Sequence, residues 1–131
     1  MNIVDSSGWL EYFADASNAD FFAPIIEATD QLLVPAVCIY EVFKRVLQQQ
    51  GLDAAETRIA DLYKGTLIDL TPSLAISAAL LSDKLKLPLA DSLILATSQA
   101  FNATLWTQDE HFKGIEGVEF IAKLPGDEAN K

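Results

Sequence analysis

Four acidic residues lie far apart in the sequence, yet each one borders an apolar segment. Asp5 follows the apolar start of the chain, Glu41 lies within VCIYEVF, Asp91 precedes SLILA, and Asp109 follows ATLWTQ. If the fold gathers them, bound cations must offset their charges, because carboxylates at close range repel one another. Carboxylate oxygens suit Mg²⁺ or Mn²⁺, which activate water for attack on a phosphodiester. These residues therefore predict a metal-dependent hydrolytic site.

Each acid also has a purely structural interpretation. Asp5 and Asp109 could cap helices, and Asp91 is an acid in the first turn of a predicted helix, where it favours the macrodipole. Glu41 could pair with the basic residues three and four positions after it, on an exposed helix face. For Asp91 alone the structural interpretation is preferred, and for Glu41 the two are even. The metal-site hypothesis depends on all four acids meeting at one place.

Other metal ligands and nucleophiles are scarce. Cys38 is the only cysteine, which excludes an intramolecular disulfide and a cysteine-based metal cage, and its apolar surroundings predict a buried thiol. His111 is the only histidine, which excludes a zinc site built from two or three imidazoles. Its position beyond Asp109 predicts a helix or surface residue rather than a catalyst. Any metal must therefore be a hard cation held by oxygens.

The order of the predicted elements offers a way to bring the acids together. Short apolar segments predict five strands, at residues 1–4, 31–34, 66–70, 103–107 and 118–121. Helical spacing predicts a first helix that has Ser6 or Ser7 as its N-cap and runs through Phe13. It predicts further helices at residues 19–28, 36–50, 53–63, 72–85 and 89–100. This alternation predicts a three-layer α/β/α sandwich with a central, mostly parallel five-stranded sheet. Active sites of such sheets lie beyond the carboxyl ends of the strands, where Asp5 and Asp109 are expected.

Length and composition predict one globular domain over residues 1–124 and a polar tail over residues 125–131. The chain has 131 residues and is 50% hydrophobic, which is enough to bury a sizeable core. It contains no run of about 18 apolar residues and no basic segment at its start, so neither a membrane span nor a signal peptide is expected. We therefore expect a cytoplasmic protein.

The ordered motifs resemble a known family. IVDSSGWLEYF, VPAVCIYEVFKRVL, LKLPLADSLILATSQAFNATLWTQDEHF and the closing VEFI are similar to PIN-domain proteins, and most closely to the VapC-type toxin ribonucleases of prokaryotic toxin–antitoxin pairs. The resemblance extends from residue 5 to about residue 121. It implies that the catalytic and metal-binding residues are Asp5, Glu41, Asp91 and Asp109, the last being the most open to acting through water. Ser6 and Thr107 match the family's supporting hydroxyl residues.

The same resemblance implies a function and partners. The reaction would be metal-dependent endonucleolytic cleavage of RNA with Mg²⁺ or Mn²⁺, and the partners a cognate antitoxin that places a basic side chain in the acidic groove and a second copy of the chain in a homodimer. The alternative is a PIN-fold binding or scaffold module with weak or no nuclease activity. A receiver domain and a haloacid-dehalogenase-like phosphatase are poor rivals, because Asp5 has neither an acidic neighbour nor a second Asp two positions later.

The net charge of −10 opposes RNA binding, since phosphate contacts require cations. Four carboxylates with two divalent ions would be locally neutral, which meets the objection only in part. Lys44 and Arg45, close to Glu41 in sequence, are the candidate RNA contacts. Lys86 and Lys113 are weaker candidates, for which a solubilising surface role is preferred.

Overall fold

The computed structural model describes residues 1–125 and has the predicted α/β architecture. The strands are β1 (Asn2–Val4), β2 (Leu32–Pro35), β3 (Thr66–Ile68), β4 (Thr104–Thr107) and β5 (Val118–Phe120). The α-helices are α1 (Ser6–Phe13), α2 (Ala19–Glu27), α3 (Ala36–Gln50), α4 (Leu52–Leu62), α5 (Pro72–Leu85) and α6 (Leu89–Ala100). Short 3₁₀ turns occupy Thr29–Gln31 and Glu110–Phe112.

All five strands are parallel and lie in the order β3-β2-β1-β4-β5. The chain therefore builds outwards from β1 in one direction through β2 and β3, and in the other through β4 and β5. The strand order reverses between β1 and β4, which is where ligands bind in open parallel sheets. Asp5 and Asp109 follow these two strands, so the topology places both at the switch point.

Alternation along the strands creates two cores. Val4, Leu32 and Val34 point to one face of the sheet and pack with apolar residues of α1 to α4, among them Trp9 and Ile59. Their neighbours in sequence point to the other face, where Ile3, Leu33 and Leu105 pack with Ile94 and Leu95 of α6. Helices on both faces make the three layers that the sequence predicts. Cys38 is fully buried in the second core, as its apolar surroundings indicated.

Gly8 sets how closely α1 approaches the sheet. A Cβ atom at this position would lie 2.6 Å from Cγ1 of Val4 and 2.7 Å from Cε1 of Phe22, so only glycine fits without displacement of its neighbours. The first turn of α1 consequently starts directly over the end of β1. This close packing fixes Asp5 and the two serines after it at the edge of the sheet.

Several predicted boundaries differ from the structure. β3 ends at Ile68 rather than at residue 70, because Ile68 pairs with Pro35, the last residue of the only described strand beside it, β2. Pro35 is the last residue of β2, one residue beyond the predicted strand, since its φ of −63° and ψ of 142° are extended. In α5, Ala75 and Leu85 are exposed, although helical spacing predicts that they face inwards with Leu74 and Ala78. The remaining strand and helix ends agree with the prediction or differ from it by one residue.

Residues 126–131 of the predicted polar tail lie outside the described residues. Among the helices of residues 1–125, none has both the length and the apolar character needed to cross a membrane.

Candidate metal centre

Asp5 occupies the junction between β1 and α1. Its carboxylate accepts the backbone N–H of Gly8 at 3.0 Å, so Asp5, not Ser6 or Ser7, is the N-cap of α1. The hydroxyl of Thr107 donates to its Oδ2 at 2.7 Å. Burial raises the pKa of Asp5 from 3.8 to about 6, although hydrogen bonds lower it. Both interpretations of Asp5 therefore apply: it caps the helix, and its second oxygen belongs to a crowded polar site.

Glu41 lies in the second turn of α3 and faces α1. The hydroxyl of Ser6 donates to its Oε1 at 2.6 Å. Within residues 1–125, neither Lys44 nor Arg45 forms an ion pair with it, so the structure does not adopt the ion-pair alternative for Glu41. The side chain is directed towards the start of α1, where Asp5 lies, rather than along its own helix surface.

Asp91 lies in the first turn of α6, a helix whose residues from Ser92 onwards are largely buried. Its side chain is 14% exposed, and burial is the main cause that raises its pKa, followed by the charge of Asp109. A first-turn acid that only favoured the helix dipole would be well solvated. The burial of Asp91 and its acidic neighbour indicate a group that needs a cationic partner.

Asp109 follows β4 and caps the 3₁₀ turn Glu110–Phe112 by accepting the backbone N–H of His111 at 3.0 Å. Phe112 is fully buried and anchors this turn in the second core. The backbone N–H of Asp109 donates to the hydroxyl of Thr107 at 2.9 Å, and the same hydroxyl donates to Asp5. Thr107 thus connects two of the acids through one hydroxyl group.

All four acids line a single groove of about 1030 Å³. They reach it from four separate segments: the end of β1, the second turn of α3, the first turn of α6 and the turn after β4. The groove also contains Ser6, Lys44 and Arg45. Each of the four acids that the sequence singled out therefore lines the same groove. Among residues 1–125, however, the group of three ligand atoms close enough to hold one ion includes Asp91 and Asp109 but neither Asp5 nor Glu41.

His111 is an exposed residue of the 3₁₀ turn Glu110–Phe112, in line with the expectation of a helix or surface residue, but its imidazole also contacts two acids of the site. Its Nδ1 lies 2.8 Å from Oδ2 of Asp91 and 3.2 Å from Oδ1 of Asp109. The hydrogen bond with Asp91 is the largest cause that raises the pKa of the imidazole, and the charge of Asp109 adds to it. The protonated ring is a counter-charge for both acids. The clue in the sequence was its position two residues after Asp109, which the tight 3₁₀ turn brings back towards the groove.

The donor set fits a hard divalent cation. Three ligand atoms, a carboxylate oxygen from each of Asp91 and Asp109 and a ring nitrogen of His111, lie within 4.8 Å of one another. This spacing is close enough for the three to share one ion. The charge of Asp109 also raises the pKa of Asp5, so the negative charges are close enough to disfavour one another. A cation would offset this repulsion and would compete with the proton, whose binding to Asp5 the raised pKa favours. In its neutral form, the imidazole of His111 would add a nitrogen ligand to a site for which the sequence predicted oxygen ligands alone.

The raised pKa of Asp5 predicts a pH-dependent stability for the metal-free protein. A carboxyl with a pKa of 3.8 when unfolded and about 6 when folded stabilises the fold below pH 3.8, and this contribution is lost as the pH rises to 6. The loss amounts to about 3 kcal/mol. We expect urea unfolding in EDTA to show that the free energy of unfolding of wild type, relative to Asp5→Asn, falls by most of this amount, about 2 kcal/mol, between pH 4 and pH 7. A difference that did not change with pH would contradict the buried, charge-disfavoured state of Asp5.

Lys123 is a groove residue that the sequence did not indicate. It follows β5 and lines the groove together with Lys44 and Arg45 of α3. No described carboxylate lies within ion-pair distance of these three side chains. Lys86 and Lys113 are not among the groove's lining residues. Lys86 lies beside Asp83 at the surface, and Lys113 lies over the ring of Phe120.

Comparisons with known proteins identify the family and the fold of the chain. The family model for the PIN domain matches residues 3–118. A chain of a toxin–antitoxin complex from Klebsiella pneumoniae is 26% identical, with a TM-score of 0.75 over 91% of this chain and 96% of that one. A comparison with curated proteins gives no match.

Two further solved structures show the fold alone. A chain of VapBC2 from Rickettsia felis, bound to a DNA fragment from the promoter, is 15% identical with a TM-score of 0.71 over 92% of this chain and 97% of that one. VapC20 of Mycobacterium tuberculosis, a sarcin–ricin loop cleaving toxin, is 12% identical with a TM-score of 0.67 over 86% and 92% of the two chains.

Proposed function

The chain belongs to the PIN-domain family, and from this premise we propose that it is a divalent-metal-dependent endoribonuclease, the toxin of a type II toxin–antitoxin pair. One observation carries the proposal: four carboxylates from four separate segments line one groove at the switch point of the sheet. Burial raises the pKa of two of them, Asp5 and Asp91, as expected for a site that receives a cation.

The proposed metal ligands are Asp5, Glu41, Asp91 and Asp109, with Mg²⁺ or Mn²⁺ as the ion. When bound, the metal supplies positive charge that activates a water molecule and stabilises the departing oxygen of the phosphodiester. The chain's own polar residues keep the acids in place. Ser6 holds Glu41, while Thr107 holds Asp5 and the backbone of Asp109. These contacts preorganise the carboxylates, which reduces the rearrangement needed on metal binding.

RNA is the proposed substrate, and the cations of the groove are its proposed contacts. Lys44, Arg45 and Lys123 line the same groove as the acids. Lys44 contacts the ring and the hydroxyl of Tyr40, but none of the three forms an ion pair within residues 1–125, so no described carboxylate competes with a phosphate for their charges. The chain as a whole is strongly acidic, so binding would depend on these few local cations and on the metal rather than on the general surface.

An antitoxin and a second copy of the chain are the proposed protein partners. A basic antitoxin side chain would be complementary to the acidic end of the groove. For the homodimer, support comes from α5, where Ile76 and Leu80 lie one turn apart and are 65% and 68% exposed. Leu89, at the start of α6, is 76% exposed. Large exposed apolar side chains of this kind are typical of interaction surfaces.

The direct test of function is cleavage by purified protein. With Mn²⁺ or Mg²⁺ present, we expect endonucleolytic cuts in RNA at defined positions and no cuts in single-stranded DNA of the same sequence. Sequencing the RNA ends identifies the positions. RNA binding without cleavage in either metal would favour the scaffold alternative over the nuclease.

The toxin role has a separate test with the same protein. Its expression in bacteria should arrest growth, and co-expression of a small open reading frame adjacent to its gene should relieve the arrest. Failure of every neighbouring frame to relieve it would contradict the toxin role and leave the nuclease proposal intact.

A further inference from the structure

Glu11 is a buried carboxylate that the proposed reaction does not use. It lies on α1, is 3% exposed, and forms no ion pair within residues 1–125. Only neutral groups satisfy it: the backbone N–H of Asn18 donates to Oε2 at 2.9 Å, and Nε2 of Gln108 donates to Oε1 at 3.1 Å. Burial of a carboxylate with neutral partners alone is costly. A cost of this kind is expected where the buried carboxylate holds other residues of the protein in position.

The hydrogen bonds continue from Glu11 into a closed polar network. Nδ2 of Asn18 donates to Oε1 of Gln108 at 3.0 Å and to the backbone carbonyl of Ala122 at 3.1 Å. Asn18 is 4% exposed, and Gln108 is fully buried. The network therefore joins α1, the segment before α2, the turn after β4 and the segment after β5.

Two of these segments carry acids of the metal centre. Asp5 caps α1, the helix that contains Glu11, and Asp109 follows Gln108 directly in the chain. Thr107, on the other side of Gln108, donates to Asp5. The contact between Glu11 and Gln108 consequently fixes the turn after β4 against the helix that begins at Asp5.

The carboxylate also fixes the direction of the network. An ionised Glu11 can only accept hydrogen bonds, so Gln108 must present its NH₂ group to it and its carbonyl oxygen to Asn18. Asn18 can then donate to both Gln108 and Ala122, as observed. If position 11 carried an amide, its NH₂ would face that of Gln108. Flipping both side-chain amides would only move the mismatch to Ala122.

We propose that Glu11 is a positioning residue of this site: through Gln108 it holds the Thr107–Asp109 turn in the geometry that binds metal. The role rests on the proposed nuclease function, but its structural part, the placement of the turn, exists in the metal-free protein. Glu11 contacts neither metal nor RNA in this role and acts only by fixing the position of Gln108.

The test uses Glu11→Gln with a compensating second change. We expect Glu11→Gln to lower kcat for RNA cleavage by roughly tenfold, with little change in KM, because groups that orient metal ligands affect activity on this scale. Glu11→Gln combined with Gln108→Glu restores an acceptor-only group opposite an amide. All the donors of Asn18 again find acceptors, while the backbone carbonyl of Ser7 loses the amide group of Gln108 that lies 3.5 Å from it. We therefore expect kcat to recover in part. An unchanged kcat in the single variant, or no recovery in the double variant, would overturn the proposal.

A second readout does not depend on activity. In the metal-free protein, backbone amide NMR signals of His111 and Phe112, whose neighbours in sequence are unchanged in both variants, should shift in Glu11→Gln and return towards their wild-type positions in the double variant. Ile59→Val, which removes one methyl group from the core packed by α4, is the control for general destabilisation and should leave both signals in place. Unmoved signals in Glu11→Gln would overturn the proposal even if the protein cleaves RNA. If wild type cleaves no RNA, the nuclease function fails, while these signals still decide whether Glu11 positions the turn.

Discussion

Asp5→Asn and Asp91→Asn are each expected to lower the rate of RNA cleavage by at least about 100-fold without unfolding the protein. Changes to the groups that merely orient metal ligands cost about 10-fold to 100-fold, so loss of a direct carboxylate ligand should cost no less. Asparagine at position 5 keeps an oxygen for the N–H of Gly8, and the cap of α1 therefore survives. The measurement is single-turnover cleavage of one RNA, with circular dichroism as the check of folding.

The matched control for these two variants is Asp83→Asn. The side chain of Asp83 is 91% exposed and lies outside the groove, so the change removes one negative charge without touching the site. Asp83→Asn should retain wild-type activity. Activity of Asp5→Asn and Asp91→Asn within a few-fold of this control would remove both acids from the catalytic assignment.

Removal of divalent cations is the second large effect. EDTA is expected to abolish cleavage and, relative to protein in excess Mn²⁺, to lower Tm by about 10 °C. A ligand at about 100 times its Kd stabilises a protein by about 2.7 kcal/mol, which corresponds to roughly this shift for a chain of this size. The physical cause is the repulsion among the acids, which the cation offsets and EDTA restores. Differential scanning fluorimetry and the cleavage assay, run on the same samples, measure both.

Asp91→Asn distinguishes this explanation from a general effect of salt. The variant lacks one of the crowded charges, so Mn²⁺ should raise its Tm far less than that of wild type. Equal shifts in the two proteins would mean that Mn²⁺ binds elsewhere. Cleavage that continued at full rate in EDTA would contradict a metal-dependent reaction.

The sequence predicted the fold because its local signals agree with one another. Short apolar segments alternate with amphipathic ones, and parallel pairing follows from that order. The errors occur where tertiary contacts determine the extent of an element or of its buried face. Asp69 and Leu70 continue the apolar and polar spacing of β3, yet β2 ends at Pro35 and offers them no partner. In α5, Ala75 lies outside the buried face. Spacing alone does not give the width of a buried face.

The acids could be predicted because each has a recognisable local context. Asp5 and Asp109 follow strands, Glu41 and Asp91 lie in apolar helical segments, and the resemblance implies the same four residues as one set. The roles of Glu11 and His111 could not be predicted. Glu11 meets Gln108 across 97 positions of the chain, and His111 meets Asp91 across 20. Such contacts depend on how the elements pack, which neither periodicity nor capping residues specify.

The central claim is that Asp5, Glu41, Asp91 and Asp109 form one divalent-metal site, and a crystal grown in Mn²⁺ tests it most directly. Anomalous scattering locates manganese without reference to its ligands. We predict a peak in the groove, about 2.2 Å from carboxylate oxygens that include those of both Asp5 and Asp91. A peak held by Asp109 and His111 without Asp5, or no peak in the groove at saturating Mn²⁺, would contradict it.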